Sequence, residues 1–359
     1  MISTGIGHSL FLDGEGNVFG CGRSGRFELC KRVKSTKSLV PIKLPRIKEI
    51  SAGMDSLFLD YDGRVWACGR SENGQLGLGE AVDVCKNAPV QISTLPPVHT
   101  ISTSCNYYSA FIDFDGNVWV CGFNAYGQLG NDDASHIPIL LKTLPKIRAI
   151  SLGMYHTLFL DCDGFVWSAG YNDCGQLGHP QFEYNQLGIH TKIPDLKDIV
   201  AVSAGENHSL FLDDRGCVWG AGSNACGQIG DEKKGVWGIH RNTKLPFIRS
   251  IYAGYNTSAF IDEQDCVWTC GNDALWGFSA NALHTPRKLS HHKVRDLCLG
   301  KDHCLLLDIA GNVWGVGNNE TGALGGIGKP VTLFKPTKIP KLPLIFKNDT
   351  TSSKSARKT

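Results

Sequence analysis

One segment is written seven times in this chain, and that recurrence limits the fold more than any other feature. FLDYDGRVWACG at residue 58 has relatives in FLDGEGNVFGCG at 11, FIDFDGNVWVCG at 111, FLDCDGFVWSAG at 159, FLDDRGCVWGAG at 211, FIDEQDCVWTCG at 260 and LLDIAGNVWGVG at 306. Its aromatic slot holds Phe19, Trp66, Trp119, Trp167, Trp219, Trp268 and Trp314, at spacings of 47, 53, 48, 52, 49 and 46 residues. Units of about fifty residues stack into arrays or close into rings, because none can bury its apolar face alone.

Each copy reads as two short strands around a tight turn. The first ends at a recurring aspartate, such as Asp60 or Asp161, and a glycine follows three residues later in six copies. That turn calls for a positive φ, which Asp265, the exception in the sixth copy, tolerates better than most residues. The second strand ends at a glycine in all seven copies. A further strand precedes the pair, as in KEISAG and VAVSAG, and a fourth is expected in the variable stretch that follows, around LVPIKL or APVQI. Four antiparallel strands per unit without a helical period make a blade. The expected fold is therefore all-β, a seven-bladed propeller. The chain begins inside a unit at ISTGIGHS and ends with KLPLIFK, so the terminal segments are expected to share a blade. Residues 1–349 are assigned to the propeller and 350–359 to a disordered polar and basic tail.

The aromatic slot is expected in the core. Cys21, Cys68, Cys121 and Cys270 alternate with Ala and Val at one position before the closing glycine, which reads as a small packed group. Fourteen cysteines without any C-x-x-C, in a chain with no secretory leader in its first residues, are expected to be reduced. No apolar run reaches membrane-helix length, and an intracellular, cytoplasmic or nuclear, monomeric protein is expected.

The composite unit S-A-G-x-x-H-S-L-F-L-D-x-D-G-x-V-W-x-x-G-x-N-x-x-G-Q-L-G resembles the regulator-of-chromosome-condensation repeat, over about residues 2–348. The resemblance implies a seven-bladed propeller. It also implies one of two roles, a protein-binding platform or a guanine-nucleotide exchange factor for a Ran-type small GTPase, the chromatin-bound prototype being the latter. In that prototype an aspartate directly before the repeat histidine serves exchange. Only Asp302-His303 matches here, in the last blade rather than a middle one, and no stretch is long enough for the prototype's β-wedge. Asp302 and His303 are thus the exchange-factor candidates.

The residues themselves point to binding rather than chemistry. Histidine recurs at His8, His156, His208 and His303, with Asp55, Tyr108 and Thr257 in the other copies, which suits a shared structural role. No nucleophile triad, paired-carboxylate signature, metal motif or phosphate loop is present, and no cofactor or metal is expected. The net charge of +2 conceals two basic segments. Residues 31–48 carry Lys31, Arg32, Lys34, Lys37, Lys43, Arg46 and Lys48 without an acid. The last thirty residues carry Lys335, Lys338 and Lys341 among others. Ring closure would make these neighbours, one basic sector for an acidic partner, a nucleosome or DNA. The first segment follows Phe27-Glu28-Leu29-Cys30, which stands where other copies have Gly-Gln-Leu-Gly; with both glycines gone, this loop is expected to leave the shared backbone path.

Overall fold

The computed structural model describes residues 1–31, 33–79, 88–179, 186–231, 236–276, 283–289, 293–327, 332–340 and 342. Seven four-stranded antiparallel sheets, each in sequence order, form the blades of a closed propeller. Blade 1 spans residues 2–42, blade 2 47–91, blade 3 98–141, blade 4 147–192, blade 5 199–241, blade 6 248–289 and blade 7 294–338. The only helix among the described residues is one 3-10 turn, Asp273–Trp276. Among them, no helix is long and apolar enough to cross a membrane.

The second strand of every blade lies between its own sheet neighbours and the adjacent blades, so it is buried on both faces and runs apolar without alternation, as in His156–Asp161. Its phenylalanines, Phe58, Phe111, Phe159, Phe211 and Phe260, are fully buried. The cross-strand tryptophans, paired as Phe159 with Trp167, are only half-buried and pack against the core from its edge. The core aromatic is therefore the phenylalanine, and the tryptophan slot is a boundary position. The tryptophan is oriented by the turn aspartate: Asp161 accepts backbone amides at Asp163 and Phe165 and the Trp167 indole N–H at 3.0 Å. The same indole bond recurs in the other five tryptophan-bearing blades, which is why aspartate and tryptophan recur six residues apart.

Two backbone positions explain the recurring glycines. The turn residue has φ 82° at Gly63, and Asp265 adopts φ 62° in the sixth copy as its residue type allows. The glycine closing the third strand approaches the loop before the repeat histidine. A Cβ on Gly170, at φ 110°, would lie 2.3 Å from the Tyr155 carbonyl oxygen.

At the seam, Ile2, Phe11 and Cys21 of blade 1 share one apolar cluster with Leu305, Leu307, Leu324 and Ile339 of blade 7. The innermost strand of blade 1 is short, Ile2–Thr4, where the other six run Ile47–Ala52 or its equivalents. From the C-terminal segment expected to complete this blade, Leu342 packs on the seam cluster. Lys341 and residues 343–349 lie outside the described residues, as does the expected tail, 350–359.

Two expectations are corrected at blade 1 and its joint with blade 2. Cys30 and Cys68 are joined in a disulfide, with Cα atoms 5.6 Å apart, so these two cysteines are not free thiols. The Phe27-Glu28-Leu29-Cys30 loop also keeps the shared path: Phe27 and Cys30 take φ 66° and 55°, against 80° and 67° at Gly74 and Gly77. The turn bonds match as well, Cys30 N to Phe27 O at 2.8 Å and Gly77 N to Gly74 O at 2.9 Å. Burial of Leu29 and the bond from its amide to the Ser24 hydroxyl at 3.1 Å hold the path in place of glycine.

Candidate interaction face at the channel mouth

The repeat's polar residues are consumed by the joints between blades. His208 bonds the Ser258 hydroxyl of the next blade at 2.9 Å, and that hydroxyl donates to the Gln228 carbonyl at 2.5 Å. Since the serine proton is committed to the carbonyl, histidine Nε2 is the donor in this pair. His8–Ser56 and His156–Ser209 repeat the arrangement at 2.9 Å. His303 bonds Ser9 at 2.9 Å across the seam. Where blade 3 has Tyr108 instead, its hydroxyl reaches the Gly153 and His156 carbonyls of blade 4. A second serine series joins the innermost strands, as in Ala253 N to Ser203 Oγ at 2.9 Å. Burial drives the histidines down to about 3 for His8, His156 and His208, and to about 4 for His303, so all four are neutral at physiological pH.

Blade 2 departs chemically. Asp55 is buried and accepts bonds from the Arg70 amide at 2.8 Å and Gln75 Nε2 at 3.0 Å. Desolvation outweighs both bonds and pushes its carboxyl up to about 7.

The loops preceding these slots surround one end of the central channel. They enclose a cavity of about 750 Å³ lined by Cys105, Met154, Glu206, Tyr255, Lys301 and Asp302, among others. A narrower space of about 140 Å³ continues inward past Cys105, Glu206 and Tyr255. Lys301 stands 5.5 Å from the Tyr255 ring centroid, and Glu206 accepts from Asn256 at 2.9 Å. Burial raises the Tyr255 phenol and lifts the Cys105 thiol to about 11, so both stay protonated near neutrality. Among the described residues, the lining offers donors, acceptors and one exposed cation, Lys301, without an activated nucleophile.

The two exchange candidates separate here. Asp302 is exposed at the mouth, whereas His303, its neighbour in sequence, is buried in the seam joint. The basic residues are spread over the height of the ring. Lys31, Lys34, Lys37, Lys43, Lys335 and Lys338 are exposed along the outer edge. The Lys37 carbonyl accepts the Gly326 amide, which puts this part of blade 1 against blade 7. Arg46 and Lys48 lie at the opposite end from Asp302, 5.5 Å from the Tyr61 and 5.3 Å from the Phe114 ring centroids. Arg32 and Lys341 fall outside the described residues.

Sequence reasoning passed over a group on the mouth face, Phe123, Tyr126, Tyr155 and Tyr171, whose rings contact one another. The signal was available: Phe123 and Tyr171 occupy a slot that holds Arg, Ser or Asn in the other copies, and no ring fills the Tyr126 slot elsewhere, departures that stand out only once the copies are aligned.

The RCC1-like domain family model matches residues 1–239. The ultraviolet-B receptor UVR8 of Arabidopsis thaliana is 31% identical over 252 residues, 64% of this chain and 54% of that protein. The match thus spans about half the length of that curated relative. Among solved structures, yeast RCC1 (Prp20) bound to Kap60 superposes with a TM-score of 0.79 at 22% identity, over 95% of this chain and 86% of that one. Human WBSCR16 gives 0.76 at 21% identity over 86% of each chain. At such identities the two structures speak for the fold alone.

Proposed function

The chain belongs to the RCC1-like domain family, and on that premise we propose that it is a protein-binding propeller whose partner sits on the channel-mouth face. One observation carries this reading: the recurring histidines, serines and aspartates are committed to joints and turns, while the exposed mouth loops hold residues that differ from blade to blade. A scaffold kept constant beneath a variable rim suits recognition.

Nucleotide exchange on a Ran-type GTPase is the second reading, favoured by Asp302 standing exposed at that rim. A solved relative of the same fold, Prp20p of Saccharomyces cerevisiae, is described by its binding to Gsp1p and histones. Exchange needs no reacting group. It requires tighter binding of the nucleotide-free GTPase than of the loaded form, which surface complementarity can supply. The exposed edge lysines Lys34, Lys37, Lys335 and Lys338 form the proposed contact for nucleosomal or other acidic surfaces.

Two assays test these readings. Release of labelled GDP from a Ran-type GTPase is measured with the wild type and with Asp302→Ala; stimulation lost in the variant makes the protein an exchange factor. Binding of that GTPase and of nucleosome core particles is then measured with Lys301→Glu, Asp302→Lys and a four-lysine charge reversal at the edge. The platform reading expects binding that the mouth variants weaken, with no accelerated release. Binding to either partner that none of these variants alters would overturn it.

A further inference from the structure

We propose that the tyrosines of blades 3 and 4 form a docking surface for an arginine-bearing peptide segment of a protein partner. The proposal rests on the platform reading and gives its partner a chemistry.

The aromatic sector is local. Among the residues that follow the third strand's closing glycine, only blades 3 and 4 carry rings, Phe123 and Tyr171. Among those directly before the repeat histidine slot, tyrosine occurs only as Tyr107 and Tyr155, in the same two blades. Tyr126 adds a fifth ring, next to the Gly-Gln-Leu-Gly loop of blade 3. Chance scatter over seven similar blades does not readily gather five rings into two neighbours.

The rings are set against one another. Tyr126 lies 4.6 Å from Tyr155 and 5.1 Å from Tyr171 between centroids, Tyr155 and Tyr171 are 6.2 Å apart, and all three pairs are edge-to-face. Phe123 extends the group, 6.2 Å from Tyr126. The Tyr171 amide donates to the Tyr155 carbonyl at 2.9 Å, which ties the two contributing loops together. A surface held this way loses little entropy on binding. Rings so close leave no room for a cation between them, so this is not an enclosed ammonium cage. Their half-exposed outer faces instead suit a flat guanidinium, which stacks and still donates in its plane.

The charge around the rings fits the same ligand. The Tyr171 hydroxyl donates to the exposed Asp173 carboxylate, and the Cys174 thiol is raised by burial and by both Asp173 and Glu206. This flank is therefore acidic, which disfavours phosphate and favours a basic segment. Elsewhere on the face the chain's own cations already use tyrosine: Arg26 donates to the Tyr107 hydroxyl at 2.9 Å, and Lys301 lies over Tyr255. Among the described residues, no cation lies over Tyr126, Tyr155 or Tyr171.

The test uses the full chain and fluorescein-labelled Gly-Ser peptides carrying three spaced arginines, with lysine and citrulline versions of the same spacing, read by anisotropy over a salt series. The arginine peptide is expected to bind saturably, ahead of lysine, with citrulline inactive. Tyr155→Ala and Tyr171→Ala should each weaken it roughly five- to thirty-fold, as loss of one stacked cation implies. Tyr155→Phe, which keeps the ring, should retain most of the affinity and also controls for folding. Asp173→Asn should weaken binding and flatten its salt dependence. Lack of saturable binding, or equal arginine and lysine affinities untouched by the tyrosine variants, overturns the assignment. That outcome leaves the platform reading standing, since the latter falls only with the Lys301, Asp302 and edge-lysine results.

Discussion

At the scale of single residues, the repeat separates two aromatic roles that its sequence makes look alike. Phe159 is fully enclosed, whereas Trp167 is half-exposed and hangs on the Asp161 carboxylate. Phe159→Ala should cost about 3–5 kcal/mol. Trp167→Ala should cost roughly 2 kcal/mol, from partial loss of burial and one hydrogen bond. Urea midpoints compare the two, and an equal or reversed order would return the tryptophan to the core. Protonation is legible only with burial in hand. His8, His156, His208 and His303 are neutral in the folded protein because their values are depressed well below 6.5. On unfolding below that pH each takes up a proton, so stability falls as pH drops below about 6.5. Asp55 has the opposite sign: its raised value, about 7, means that the folded state holds a proton the unfolded chain releases, and stability falls as pH rises from about 4 to 7. Together with His179 and His190, which burial also lowers, the four outweigh Asp55 between pH 6 and 5, by a net uptake of at least about three protons and hence on the order of 4 kcal/mol per pH unit. Stability should therefore drop sharply from pH 7 to 5, with a steeper slope in Asp55→Asn, as thermal midpoints across that range would show. A flat profile would mean that the histidines are reached by water.

At the scale of strands and loops, what the sequence discloses follows the strength of the local pattern. The inner three strands were legible because the Leu-Phe-Leu-Asp turn and its glycine fix their limits. The fourth strands were less so, running from ten residues at Val33–Ile42 to two at Val90–Gln91, because an outer edge has fewer neighbours to dictate it. The blade 1 loop keeps the shared path for a physical reason. Loss of its glycines suggested a new path, yet Phe27 and Cys30 take the left-handed conformation regardless, since Leu29 is buried and Ser24 holds its amide. Non-glycine residues there cost roughly 1–2 kcal/mol each, and Cys30 is also bonded to Cys68 of blade 2. Cys30→Gly should thus be nearly neutral in a reducing buffer, relief of backbone strain offsetting lost burial. In an oxidising buffer it should cost about 2–4 kcal/mol through loss of the bridge. Melting temperatures with and without reductant provide the comparison, and the same deficit in both would remove the bridge from the account.

At the scale of the molecule, periodicity disclosed the propeller but could not disclose its working face. Repetition marks what every blade needs, and the mouth residues are informative because they do not repeat: Asp302, Glu206, Tyr155 and Tyr171 share no slot-wide identity. The seam lies between these cases. Blades 5 and 6 are joined by the connecting residues 242–247 as well as by the His208–Ser258 bond. Blades 7 and 1 adjoin through non-covalent contacts among the described residues: the His303–Ser9 bond, Lys37 O with Gly326 N, and the cluster around Ile2, Leu305 and Ile339. Removing a latch costs about 1–3 kcal/mol wherever it sits, through the lost bond to a buried hydroxyl and the cavity left by the ring. At the seam, however, no connecting segment among the described residues restrains the blades once they part, and each then exposes a sheet face. His303→Ala should therefore accelerate amide exchange in His8–Leu12 and His303–Asp308 more than His208→Ala does in His208–Asp213 and Thr257–Asp262. Asp302→Ala, on the exposed rim, should leave both pairs of strands unchanged, so a loss of partner binding in it would be separable from opening of the ring. Equal acceleration at the two joints would mean that the apolar cluster alone closes the propeller.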